Sequence, residues 1–158
     1  MSRFAELGTN KTTILMKLIE SPEIVKCLVN NQSNFLDIPL PVDFNVTSLI
    51  YLNIYPYRFI PDIQTEPKTF ITTSFGYRSS GMTFKFGSVC FYVVCHNSLL
   101  RTDYGMLRYD YLINQIDEIF NSSRNLGIGK LPFYSMDDIL VNENYSGACI
   151  IYKTTEFQ

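Results

Sequence analysis

The chain has one histidine, His96, no tryptophan and only four cysteines. Each shortage closes off a kind of chemistry. A catalytic nucleophile needs a base beside it, and one imidazole leaves one place to look. Ser98 and Asp103 follow His96 along the chain, but closeness in sequence does not build a triad. Cys27, Cys90, Cys95 and Cys149 are too few and too scattered for a disulfide framework, and they are expected to be free, mostly buried thiols. Cys90 and Cys95 lie five positions apart in a β-type segment, and Cys95 adjoins His96. In both pairs the side chains point to opposite faces of a strand, so no zinc site is expected from them.

Charge of one sign is also scarce. Lys and Arg number 13 against 15 Asp and Glu, a formal net charge of −2, and no basic run stands out. A nucleic-acid surface needs a basic face to displace counterions, and none is visible. No stretch reaches the ~18 apolar residues of a membrane span, and MSRFAELGTNK lacks the apolar centre of a secretory signal. A reducing, aqueous location is therefore expected, where the sequons at Asn45 and Asn144 carry no meaning. The adjacent carboxylates Asp117-Glu118 and Asp137-Asp138 point apart and read as a wet helix face and a turn. Gly127-Ile128-Gly129 lacks the helix that a dinucleotide-binding turn requires, and Gly8-Thr9-Asn10-Lys11-Thr12 has the wrong spacing for a P-loop. The expectation is a protein that is not an enzyme, with no cofactor and no metal.

Aromatic residues are plentiful, with 11 Tyr and 12 Phe. Tyrosine gives large, stiff, amphipathic contact area and is enriched at protein interfaces, although β-sheets favour aromatics in any case. A length of 158 residues fits one domain, 1–158, able to bury roughly 70% of its unfolded surface. Residues 1–11 read as a flexible polar arm. A first helix runs from Thr12 or Thr13 through Ile14, Leu15, Leu18 and Ile19. Ser21-Pro22-Glu23 restarts it, because serine caps, proline suits the first helical position and glutamate favours the first turn. Asn30, Asn31 and Gln32 stop it, and 33–45 reads as an extended loop.

Ser48 to Tyr55 alternates as a strand with Ile50, Leu52 and Ile54 on its core face. Lys68 to Tyr77 and Thr83 to Cys95 then form a long hairpin about Arg78 to Gly81. Gly87 marks a bulge in it, with Phe84 and Phe86 in phase with Cys90, Tyr92 and Val94. Tyr109, Leu112, Ile113, Ile116, Ile119 and Phe120 recur on one face of a helix over 104–120. Arg108, Asp110, Asn114, Gln115, Asp117 and Glu118 fall on the opposite, solvated face. Leu126 to Leu131, Ile139 to Asn142 and Ala148 to Phe157 are further strands, the last two joined by the turn residues 142–147. The fold class is α+β: a mainly antiparallel β-sheet with a long hairpin, packed by an N-terminal helix and a second central helix.

Certain strings within this layout carry a resemblance. They are 54–62 (IYPYRFIPD), Val94-Cys95-His96-Asn97, Gly105-Met106-Leu107-Arg108 with Ile116-Asp117-Glu118-Ile119-Phe120, and Tyr145-Ser146-Gly147 before an alternating strand. The arrangement resembles the tail-terminator or tail-completion proteins of tailed-phage necks, over most of the chain and by topology more than by any diagnostic motif. The resemblance implies a virion structural protein, made in the host cytoplasm, whose copies form a ring at the head–tail junction. A hexamer is favoured and a dodecamer is the alternative. The ring would cap the tail tube and join it to the head connector, with no membrane and no sequence-specific nucleic acid as partner.

In such a ring one subunit's edge meets a different patch of the next. Tyr57, Arg58, Phe59 and Ile60 in the proline-rich loop, and Tyr77, Arg78 and Met82 at the hairpin tip, are the expected contacts with another subunit or a neighbouring neck protein. Equally open is that the loop aromatics finish their own core. Two alternatives stand beside the ring reading: another neck ring, as in head closure or beneath the portal of a short-tailed phage, or a non-virion soluble binding module with an aromatic pocket.

Overall fold

Ser21 breaks the first apolar stretch into two helices. In the computed structural model, α1 spans Leu7–Ile19 and α2 spans Pro22–Val29, with the Ser21 side chain accepting from the Ile24 N–H. The structure describes residues 7–63, 66–80, 83–122 and 132–153; of these, the side chains of 7, 78–80, 83–86 and 121–122 are not described. After the helices come β1 (Ile54–Tyr55), β2 (Thr69–Ser80) and β3 (Thr83–His96). Then α3 (Arg108–Ser122), β4 (Phe133–Leu140) and β5 (Tyr145–Lys153) complete the order. The five-stranded sheet runs β1-β2-β3-β5-β4, antiparallel throughout except for the short parallel β1–β2 pair. The class is therefore α+β with a long hairpin, as the periodicities indicate.

Alternation along β3 sorts the core into two layers. Val89, Phe91, Val93 and Cys95 face the helices and meet Ile113 and Ile116 of α3 with Ile14 and Leu18 of α1 in one cluster. Cys90, Tyr92 and Val94 lie on the reverse face, where Val94 joins Phe70, Tyr55 and Tyr145 in a smaller cluster. Gly87 marks a bulge: Gly76 pairs with Ser88 but Tyr77 with Phe86, so the register with β2 shifts by one residue there. The expected phase of Phe84 and Phe86 is corrected by that register. Counting through the bulge moves them from the even series of Cys90 and Tyr92 to positions opposite Ser79 and Tyr77.

The expectation for Arg108 is overturned. It is fully buried, at the first position of α3 rather than on a wet face. Its five N–H donors reach five backbone carbonyls: Nε to Leu99, Nη1 to Cys27 and Asn30, Nη2 to Asn31 and Gln32, at 2.8–3.2 Å. The guanidinium lies 4.6 Å from the centre of the Phe35 ring. Among the described residues no carboxylate pairs with it. Its charge is met instead by carbonyl dipoles at and just beyond the C-terminus of α2, where the helix field favours a cation. A helical wheel places a residue on a face; it does not register that the first turn of α3 abuts the end of α2.

Asn53 does related work nearby. Its buried amide donates to Leu28 O of α2 at 3.4 Å and to Thr69 O of β2 at 2.9 Å, and its own carbonyl accepts from Ile71 N. This role replaces most of the strand expected over 48–55. The segment forms a 3-10 turn at Val46–Leu49, capped by Asn45, and only Ile54–Tyr55 remain extended. Tyr51 takes a positive φ of 70°, and Leu52, expected in the core, is exposed while Leu49 and Asn53 are buried. The expected loop 33–45 likewise contains a 3-10 turn, Phe35–Asp37, whose Phe35 is fully buried between Tyr104 and Tyr111. Residues 7–11 of the expected arm are helical, and 104–107, expected as helix, form the turn before α3. The expected strand at 126–131 lies outside the described residues.

At the far end of the sheet Gly147 of β5 faces Val94 of β3, and an added Cβ would fall on the Val93 carbonyl. Here the two backbones approach too closely for any side chain. Replacement of Arg108 by lysine keeps the charge but presents one point of donation in place of a fork. Arg108→Lys is expected to destabilise the fold by about 2–3 kcal/mol, and Arg108→Met by about 3–5 kcal/mol, because several buried carbonyls lose their partners. Urea unfolding followed by circular dichroism measures both; a change below ~1 kcal/mol for Arg108→Met contradicts the assignment.

Candidate interaction surface

The proline-rich loop after β1 folds over the reverse face of its own sheet. Phe59 stacks on Tyr55 with ring centres 4.2 Å apart and planes at 10°, and it approaches Phe70 at 5.4 Å. Arg58 lays its guanidinium 3.7 Å from the centre of the Tyr92 ring and donates to Thr72 Oγ1 at 3.4 Å. The β4–β5 turn holds the loop from the other side: Asn142 Nδ2 donates to Pro61 O, Asn144 Nδ2 to Ile63 O, and the Tyr145 hydroxyl to Glu66 O. Of the four loop residues expected at an interface, Phe59 is thus partly buried on the sheet, and Arg58 reaches back to it while remaining exposed. Tyr57 and Ile60 are 50% and 60% exposed.

At the other end of the hairpin Tyr77 is partly buried against the helix-side core. Arg78 belongs to β2 but its side chain is not described, and Met82 lies outside the described residues. His96 caps the 3-10 turn Asn97–Leu99: its Nδ1 accepts from the Ser98 N–H at 3.2 Å and lies 2.8 Å from Ser98 Oγ. Among the described residues no group of three His, Cys, Asp or Glu converges as a metal site would require, and no helix is long and apolar enough to cross a membrane.

The surface that sequence reasoning missed is the outer edge of β4. Phe133, Tyr134 and Leu140 are 58%, 60% and 86% exposed, and Met136 is partly so, with Asp137 and Asp138 exposed between them. Only Ile139 and Leu140 lie in the strand expected there. The string FYSMDD reads as a turn around paired carboxylates, yet it is strand, because β5 supplies partners from Ser146 to Tyr152. At the opposite margin the strand pairing is short. β1 pairs with β2 only at Ile71 and Thr72, and among the described residues no strand lies outside positions 73–80.

Between α3 and β4 runs an open cleft of about 500 Å³, lined by Asp110, Ile113, Asn114, Asp117, Phe133, Met136 and Ile150. Beside it the Tyr152 hydroxyl donates to Asp117 Oδ1 at 2.7 Å, fastening α3 to β5. Partial burial, then the charge of Asp138, raise the Asp110 carboxyl above its ordinary value. Burial likewise raises the thiols: Cys27 is pushed up to about 12 despite the lowering influence of Arg108, and Cys90 to about 11. Low-pKa, exposed thiols are the reactive ones, and these have the opposite character.

These features define an α+β protein with helices on one sheet face, a loop sealing part of the other, and an exposed apolar edge strand in β4. A family model, YomW, matches residues 21–154. The chain belongs to the YomW family, and through it to phage-associated proteins. No curated protein and no solved structure matches it.

Two measurements follow from the electrostatics. A raised folded-state pKa means that Asp110 favours folding below its unfolded value and loses that contribution as pH rises through the folded one. Asp138→Asn is expected to move the Asp110 titration downward, as read by carboxyl NMR; an unmoved midpoint contradicts the coupling. Native-state thiol labelling is expected to leave Cys27 unmodified near pH 8 and to reach it only on unfolding, as mapped by peptide mass spectrometry.

Proposed function

We propose that this chain is a phage structural protein whose copies assemble as a ring at the head–tail junction, capping the tail tube and joining it to the head connector. The observation that carries the reading is the exposed apolar edge strand β4, at Phe133, Tyr134 and Leu140. Edge strands are ordinarily shortened or covered, because free N–H and C=O groups recruit further strands. In a heterologous, ring-closing contact such an edge meets a different patch of the next copy. Membership of a phage-associated family supports a virion role over a host one. The slight negative charge is compatible with DNA passing a lumen without adhering.

A second reading, a soluble binding module, has the cleft between α3 and β4 in its favour. The two separate by location. Imaging of the virion that encodes this chain is expected to place it in the neck in a closed ring of identical copies. Purified virions free of the chain, with the protein recovered from the host lysate as a monomer carrying a small molecule, would replace the ring by the binding module.

A further inference from the structure

We infer that the patch meeting β4 is the outer face of α1 on the next copy: the edge strand of one subunit lies along that helix, with the N-terminal end of α1 toward Asp138. The inference rests on the ring reading and names the surface that its repeating contact uses. Position is the first support. Lys11 Nζ of α1 lies 5.5 Å from the centre of the Phe75 ring on β2, and β3 and β5 separate β2 from β4 in the sheet. The two surfaces therefore lie toward different ends of the molecule, as a contact that repeats head to tail requires.

Shape and hydrogen bonding agree. The face of α1 turned away from the core is an open groove of about 660 Å³, where the small residues Gly8, Thr9, Thr12 and Thr13 precede Met16, itself exposed. Phe133, Tyr134, Met136 and Leu140 project from β4 and need such a recess. The edge also carries backbone groups. Val141 N–H donates to Tyr145 O at 3.3 Å, and alternation from that pair turns the N–H and C=O groups of Leu140, Asp138 and Met136 away from β5. Thr9 and Thr12 are exposed, and their hydroxyls both donate and accept, so they suit those groups where an apolar helix would not. A helix laid over an edge strand is one of the ways natural sheets end.

Charge fixes the direction. α1 holds Lys11 and Lys17 and no carboxylate, and its first turn is the positive end of the helix dipole. Glu20 follows its C-terminus, 3.7 Å from Lys17 in an exposed pair weak enough to admit a second cation. β4 carries Asp137 and Asp138 toward one end, both exposed, and at the other Lys153 of β5 lies 3.8 Å from the centre of the Tyr134 ring. The helix rises about 14 Å from Lys11 to Glu20, and the strand covers about 13 Å from Asp138 to Tyr134. With α1 antiparallel to β4, Lys11 meets Asp138, Glu20 meets Lys153, and Met16 comes opposite Met136. Pairing β4 with β4 of a second copy would bring four carboxylates together instead, and like charges facing across strands are repulsive.

The experiment uses the full chain with Thr12→Glu, with Asp138→Lys, and with both changes together, each checked for wild-type circular dichroism. Sedimentation velocity is expected to show higher oligomers for the wild type and at least tenfold weaker self-association for each single variant. The double variant is expected to assemble again, because its new carboxylate faces its new ammonium on the next copy. A second arm mixes Met16→Cys with Met136→Cys and adds a short bismaleimide. The mixture is expected to give a cross-linked pair that neither variant gives alone. Four results overturn the contact: oligomers that persist in both single variants, a double variant that stays apart, Met136→Cys cross-linking to itself, or a wild type that never self-associates. None of these decides the neck reading, which the imaged virion tests separately.

Discussion

A buried cation clasped by backbone carbonyls holds the helical half of this protein together. Arg108 brings a full charge into a site closed to solvent, and its compensation is chiefly backbone: five carbonyls from the end of α2, the segment after it and the turn before α3. Burying a charge without such partners costs far more than a domain can spare. The same guanidinium therefore defines where α2 stops, how 30–32 turn and where α3 begins. Phe35 fills the space beneath it, with Tyr104 and Tyr111 packed edge-on around that ring. Asn53 repeats the device on a smaller scale, joining the last turn of α2 to β2 through its amide. Helices and sheet are thus fixed to each other by side chains that complete backbone hydrogen bonding, while apolar burial supplies the bulk of the driving force.

The parts legible in the sequence were those governed by local rules. Ser21-Pro22 specifies a helix start through capping and a fixed φ, the alternation around Val89 to Cys95 specifies two buried faces, and Gly87 specifies a bulge. Periodicity likewise found the buried side of α3, from Tyr109 to Phe120. What was illegible depends on distant partners. Arg108 looks solvated because its neighbours in sequence are, and four of the five carbonyls it needs lie 76 to 81 positions earlier in the chain. Ile50, Leu52 and Ile54 alternate well enough for a strand, yet hydrogen-bonding demands at Asn53 and the cap at Asn45 bend the segment into turns. β4 was obscured by its acidic pair, since an edge strand can carry charges that a central strand rejects.

The candidate surface divides along the same line. Aromatic and proline-rich composition drew attention to 56–67, and much of what it holds closes the protein's own second core. A cation on Tyr92 and a ring on Tyr55 are contacts that composition cannot assign to one molecule or to two. The β4 margin, with less conspicuous residues, is exposed because among the described residues the sheet ends there. Topology, and not residue type, distinguishes the two segments, and topology enters only once strand order is known.

Gly147 carries a consequence for tracing relatives of this fold. The approach of β5 to the Val93 carbonyl leaves no volume for a methyl group, so every homologue that keeps this strand spacing is confined to one amino acid there. Hydrophobic positions can drift among Val, Ile, Leu and Phe until no alignment registers them, whereas a position defined by backbone crowding has no synonyms. A lone glycine three residues into the closing strand, placed after an Asn-rich turn, is then a more durable signature of descent than the core around it.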